Sequence, residues 1–279
     1  SNKQEKINFN LNYDPYTSSI YEFNKEHSNL YSEDKVYSKN VDKVFEYAFK
    51  TKEKIALNTD TLDNIILKHS LGNASFLSLD TQGSELLILE GAKEQISKNL
   101  VGIVCEVSFT DTYKNQPLFD QINKFMEENN FIICDIDIEK VGFKRISRSL
   151  RGKKIPTEAS VLYLLNPKSI ISFNSDNIDR LYNLSFISLL YGYSEISFES
   201  LNKLKKLNHN FENNIITKFL NEFYELVLNE KKLPELWHNY YSYEQSKSRF
   251  ESVKDNKFYD RVIRVLGNFL SNPLKYLYV

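Results

Sequence analysis

Phe76-Leu77-Ser78-Leu79-Asp80-Thr81-Gln82-Gly83-Ser84-Glu85-Leu86, running on to Leu89-Glu90-Gly91-Ala92, sets an apolar run, a turn and a second apolar run in close succession. Ser75 to Leu79 is an apolar run of strand length that stops at Asp80, and Gly83 supplies the turn. Leu86, Leu87, Leu89 and Ala92 then belong to a helix that begins near Glu85. A strand, a turn and a helix in that order are one unit of an α/β layer.

Working outward, the rhythm continues. Val101 to Val107 is an apolar strand interrupted by Glu106. Pro117 to Asn129 is an amphipathic helix through Leu118, Phe119, Ile122, Phe125 and Met126. Phe131 to Ile138 is a strand, a basic loop follows, and Ser160 to Leu165 is the last strand. No convincing helix joins the final pair, so it is expected to be antiparallel. The sheet is then mixed, with the last strand reversed between its two predecessors and Ser75–Leu79 at an edge. Upstream, residues 7 to 13 alternate Ile7, Phe9, Leu11 and Tyr13 with polar residues, a period-two strand. Residues 39 to 51 carry Val41, Val44, Phe45, Ala48 and Phe49 on one helical face, and Lys54 to Leu57 is a short strand. Thr61-Leu62-Asp63 opens a helix through about Lys68, with Thr61 or Asp60 as cap.

After Pro167 the strand signals end. Residues 178–191, 196–208, 213–229, 235–252 and 256–270 read at helical period, punctuated by Pro234 and Pro273. The expected organisation is an α/β domain over residues 1–166 and an all-helical extension over 167–279, packed as a separate unit.

Composition narrows the function classes. Lys+Arg 36 against Asp+Glu 37 leaves a net charge of −1 in 279 residues, so no global field recruits nucleic acid or anionic membrane. No run approaches the roughly 20 apolar residues of a spanning helix. Cys105 and Cys134 sit singly in strands, without metal spacing, and read as core cysteines in a reducing, cytoplasmic compartment. The Asn- and Lys-rich bias matches AT-rich bacterial coding. Met126 is the only methionine, so Ser1 is not expected to be a translation start.

The Phe76–Ala92 stretch resembles the signature of FkbM-type methyltransferases that use S-adenosylmethionine: a strand ending in Asp, then x-[EQ]-G-x-E, an apolar stretch and Gly-Ala. Thr17-Ser18-Ser19-Ile20-Tyr21 is similar to that family's Ser-Ser-Leu-Tyr segment, and Thr61-Leu62-Asp63 to its Thr-Leu-Asp. Val104-Cys105-Glu106-Val107, then Gln116-Pro117-Leu118-Phe119, resembles the next strand and helix start. The resemblance covers roughly Ser1 to Asn166. It implies an α/β fold that is the C-terminal part of a Rossmann-like sheet, with S-adenosylmethionine as cofactor. The chain departs from the pattern at Ser78, where the family usually has Lys, and at Gln82, the less common choice. None of its eight glycines forms the Gly-rich turn that binds the cofactor, and no acidic ribose ligand follows a second strand. A chain lacking its N-terminal cofactor-binding half, and inactive by itself, is expected.

The chemistry follows from position. In open parallel sheets ligands bind beyond the carboxyl ends of the strands. Asp80 and Glu106 end neighbouring strands about 4.8 Å apart and can share one crevice. Asp80 is the expected proton acceptor for a hydroxyl, with Glu106 or Glu85 orienting substrate. Gly83 permits close backbone approach, and the resemblance adds Asp80, Thr81 and Gln82 as cofactor contacts and Ser18, Ser19 and Tyr21 as substrate contacts. Lys144 and Arg145, in the loop from Lys140 to Lys154, are candidates to grip a phosphorylated acceptor.

Plainer roles stand beside these. Asp80 serves equally as a helix cap, Glu106 can pair with a cation, and Glu85 suits a first helical turn. The basic loop reads equally as a solvated surface. Asp135-Ile136-Asp137 is too short a pattern to assign a metal, and none is expected. His27, His69, His209 and His238 are scattered, and Trp237, Tyr240, Tyr241 and Tyr243 read as packing. Two functions are expected to compete: O-methylation of a saccharide or secondary-metabolite hydroxyl, or a non-catalytic module that self-associates through its helical tail.

Overall fold

The computed structural model describes residues 1–26, 47–141, 153–170 and 175–207, with single helical positions at 218, 221, 222 and 225. Most of the expected basic loop, including Lys144 and Arg145, lies outside the described residues. So do His27, His209, His238, the Trp237 aromatic cluster and, apart from those four positions, the last three expected helices.

β1 (Lys6–Asn12) and β2 (Thr51–Asn58) form an antiparallel two-stranded sheet of their own. The helix expected over 39–51 is corrected at its end. Thr51 is the first residue of β2, because pairing with Asn12 claims its backbone for a ladder. α1 (Leu62–Lys68) starts where its cap predicts, with the Thr61 side chain accepting the Asn64 N–H at 3.1 Å. Asp63 then reaches across to a second helix. Its carboxylate accepts the N–H groups of Glu94 and Gln95 at 2.9 and 3.1 Å. Those belong to the first turn of α3 (Lys93–Lys98), whose own N-cap, Ala92, has no side chain to offer.

The main sheet has the order β3-β4-β6-β5, from β3 (Phe76–Leu79), β4 (Gly102–Ser108), β5 (Phe131–Val141) and β6 (Ile155–Leu165). β3 and β4 are parallel; β6 runs antiparallel to both β4 and β5. The expected mixed sheet is therefore present, with the last strand inserted and β3 at the edge. α2 (Glu85–Glu90), α3 and α4 (Phe119–Glu128) share the core with Ile103, Cys105, Val161 and Tyr163, all fully buried. α4 contributes Ile122 and Met126, and it ends where Asn130 turns left-handed at φ 65°.

The two described helices after Pro167 pack against the sheet rather than as a separate unit. α5 (Ser175–Leu190) and α6 (Ser194–Leu207) form a hairpin whose Leu181, Leu184, Leu201 and Leu204 join the same core. Gly102 makes room for the Phe76 ring and for α5, since a Cβ there would meet Phe76 at 2.7 Å and Ile187 at 3.3 Å. The Phe76 ring stacks on Tyr191, and the Tyr193 hydroxyl donates to the Cys134 carbonyl at 2.7 Å. Arg180 donates to the carbonyls of Ile96, Ser97 and Leu100, which end α3. The reason is an apolar demand on both sides. The end of this sheet face around Phe76 and Gly102 is apolar, and burying it against the hairpin stabilises both. The other end of the same face stays uncovered by the hairpin.

Candidate active site

Register assembles the site. Leu79 pairs with Cys105 across the β3–β4 ladder, and strand side chains alternate between faces. The next residues, Asp80 and Glu106, therefore share the opposite face at the carboxyl ends of both strands. β6 continues the row by pairing Ser160 with Glu106, and β5 extends it by pairing Asp137 with Ser160. One step along, Ser108, Glu158 and Glu139 form a second row. The result is a cavity of about 260 Å³ lined by Asp80, Glu106, Asp137, Glu139 and Glu158, with no Lys or Arg among its lining residues.

Gln82 holds the two leading carboxylates together. Its Nε2 donates to Asp80 Oδ1 at 2.9 Å and to Glu106 Oε2 at 3.2 Å. Its Oε1 lies 2.9 Å from the Tyr113 hydroxyl, which also reaches the Thr17 carbonyl at 2.8 Å. An amide is symmetric in shape, so a donor at its oxygen end decides which way the nitrogen points. Gln82 adopts φ 53°, an uncommon conformation for a residue with a side chain, and Gly83 follows at φ 98°. The Ser19 hydroxyl clamps this turn by donating to the Gln82 carbonyl at 2.6 Å. Such a turn persists where surrounding bonds over-determine it.

Crowded carboxylates share protons. Burial raises Glu106 most, and the neighbouring charge of Asp80 and a hydrogen bond to it add to this, followed by Glu158 and Glu85. Together they push Glu106 up to about 8. Glu106 thus carries a proton at neutral pH and offers it to Asp80. Glu158 is raised by burial too, although the Thr112 hydroxyl, donating at 3.2 Å, opposes this. Asp80 is exposed, Glu106 half-buried.

The structure therefore brings Asp80, Glu106 and Gln82 together. Glu85 stands apart. It is 3 % exposed, and its Oε1 accepts from the Thr81 N–H and hydroxyl at 2.7 and 2.9 Å, which closes the turn from below. Ser18 accepts the Asn12 N–H at 3.0 Å, and Ser19 is fully buried on its turn, so these hydroxyls hold structure. Tyr21 packs its ring on Gly83; a Cβ there would stand 3.4 Å from the ring and 3.2 Å from Gln116 Cβ. That side of Gly83 is filled by protein. Tyr113, Glu158 and Glu139 stand at the site and carried no local sequence signal, while Asp137 was marked only as part of the short Asp135-Ile136-Asp137 pattern. Cys105 is buried, its thiol pushed well up by burial beside Glu85 and Glu106, which makes it inert.

The comparison with protein families falls on this turn and its flanks. Residues 1–133 match the methyltransferase FkbM domain. The match takes in β1 through the start of β5, and it stops short of the Asn166 boundary expected from the motifs. Those residues are thus similar to a methyltransferase domain. No curated protein and no solved structure matches the chain. Among the described residues no group of side chains has metal-ligand geometry, and no helix is long and apolar enough to cross a membrane.

The described residues of the FkbM domain fit one end of S-adenosylmethionine. The exposed Asp80 carboxylate suits a sulfonium cation. Its nucleoside end finds no cradle among them. Gly83 and Gly192 are the glycines with positive φ; the first is covered by Gln116 and Tyr21, and the second lies in the α5–α6 turn.

Proposed function

We propose that this protein is an O-methyltransferase that uses S-adenosylmethionine, and that its reaction centre is the Asp80–Gln82–Glu106 cluster. The acceptor is a hydroxyl of a saccharide or of a secondary metabolite. One observation carries the reading: two carboxylates at the ends of adjacent parallel strands, bridged by a single amide inside a methyltransferase domain. Strand ends of that kind are where ligands bind in open α/β sheets.

The donor supplies an electrophilic methyl; this chain's own residues supply the rest. Asp80 is the exposed carboxylate that takes the acceptor proton, an effect of order 10²–10⁴-fold for a positioned base. Glu106 keeps its proton at neutral pH and hydrogen-bonds Asp80, which holds that carboxylate in one orientation. Gln82, fixed by Tyr113 and Ser19, sets the spacing of the pair. Donor binding by these 279 residues is expected to be weak, because the glycine cradle for the nucleoside is not among them.

The test is direct. The protein, together with the N-terminal cofactor-binding half that the resemblance implies, is incubated with methyl-labelled S-adenosylmethionine and a panel of glycosides and phenols, and label is sought on acceptor oxygen. Label on oxygen supports the reading. Label on nitrogen or carbon, or none with any acceptor, contradicts it and favours the non-catalytic module.

A further inference from the structure

A second, larger cavity of about 490 Å³ adjoins the carboxylate pair, and Asp80 stands in the wall of both. It lies between the β1–β2 sheet and the segment from Asp80 to Ile88. Its walls include Ile7, Phe9, Ile20, Leu57 and Leu87, side chains that stand outside the buried core cluster. Apolar residues left half-exposed around a space of ligand size are what a small-molecule pocket requires. Tyr16, 87 % exposed, stands at the rim as a free aromatic face.

The charges lining it are equally informative. Among the described residues, no Lys, Arg or His lines this cavity. A phosphate entering here meets the Asp80 carboxylate and no paired cation, a costly arrangement. An uncharged hydroxyl at Asp80, with an apolar body against Phe9, Ile20 and Leu57, leaves no group unsatisfied.

We infer that this cavity is the acceptor site, and that it takes an uncharged molecule with an apolar body presenting a hydroxyl to Asp80. The inference rests on the methyl-transfer reading and narrows its acceptor to one that is not phosphorylated.

Binding to the 279-residue chain is measured by calorimetry with hexyl β-glucoside, glucose and glucose 1-phosphate. Hexyl β-glucoside is expected to bind about 10-fold or more tightly than glucose, because its methylenes leave water. Glucose 1-phosphate is expected to bind no better than glucose. Leu57, 40 % exposed, tolerates substitution. Leu57→Lys should weaken the hexyl glucoside several-fold and strengthen glucose 1-phosphate. Equal binding of the three probes, tightest binding of the phosphate, or indifference to Leu57→Lys overturns the assignment. None of these readouts involves methyl transfer, so failure of the pocket and failure of the enzymatic reading are distinguishable.

Discussion

The Tyr113 hydroxyl lies 2.9 Å from the side-chain oxygen of Gln82, 31 residues earlier in the chain. That contact turns the amide nitrogen of Gln82 toward the two carboxylates. Removing it leaves the amide free to rotate and to present oxygen to Asp80 and Glu106, which repels them.

Tyr113→Phe is therefore expected to cost about 1 kcal/mol of stability, the usual value of one buried hydrogen bond. Turnover should fall further than that loss implies, with acceptor KM little changed. Urea titration and steady-state kinetics on the same preparation separate the two effects; wild-type turnover would show that the amide needs no such guide.

Glu106 makes stability depend on pH with a definite sign. Its acidity is ordinary when unfolded, and its folded value is about 8, so the native state holds the extra proton between those limits. Stability should fall as pH rises from about 5 to about 8 and level off above. The groups facing it, Asp80, Glu85 and Glu158, are all acidic, and none reverses the sign. Glu106→Gln should flatten the profile and gain on wild type throughout that window. Parallel denaturation midpoints at pH 5, 6.5 and 8 would contradict this.

Gly83 joins a left-handed backbone to a filled space. Gly83→Ala meets a φ of 98° and Gln116 Cβ at 3.2 Å. A loss of about 1–3 kcal/mol is expected, measured by thermal or urea unfolding. An unchanged midpoint would mean that the turn relaxes more freely than its four anchoring bonds suggest.

Much of this was legible in the sequence, for physical reasons that can be named. Apolar runs bounded by Asp80 and Glu106 mark strands whose ends converge wherever parallel pairing holds. The Thr61 cap and the ends of α5 and α6 follow from local propensity. Glu139 and Glu158 were not legible, because they enter the site through register, and Tyr113 was not, because it enters through a loop contact with Gln82. Nothing near Glu158 announces that it stands opposite Ser108 in one ladder and Glu139 in the next. The docking of α5 against Gly102 was hidden likewise, since a missing side chain leaves no apolar signal. Glu85 shows how two readings of one residue part. Its place in the motif suggested chemistry, and its carboxylate is spent on Thr81.

Donor affinity probes what the glycines lack. Calorimetric titration of the 279-residue chain with S-adenosylmethionine is expected to show no binding tighter than millimolar. A micromolar Kd would mean that the nucleoside has a cradle among residues that hold no Gly-rich turn.

The role of Asp80 is the most direct test of all. Asp80→Asn keeps the turn's shape and its bond from Gln82 within reach of an oxygen, and it removes the proton acceptor. In a protein that carries the N-terminal cofactor-binding half the resemblance implies, methyl transfer to a neutral hydroxyl acceptor should fall about 10²-fold or more, with the fold retained. Turnover within a few-fold of wild type would contradict the account, and would leave Asp80 as a helix cap.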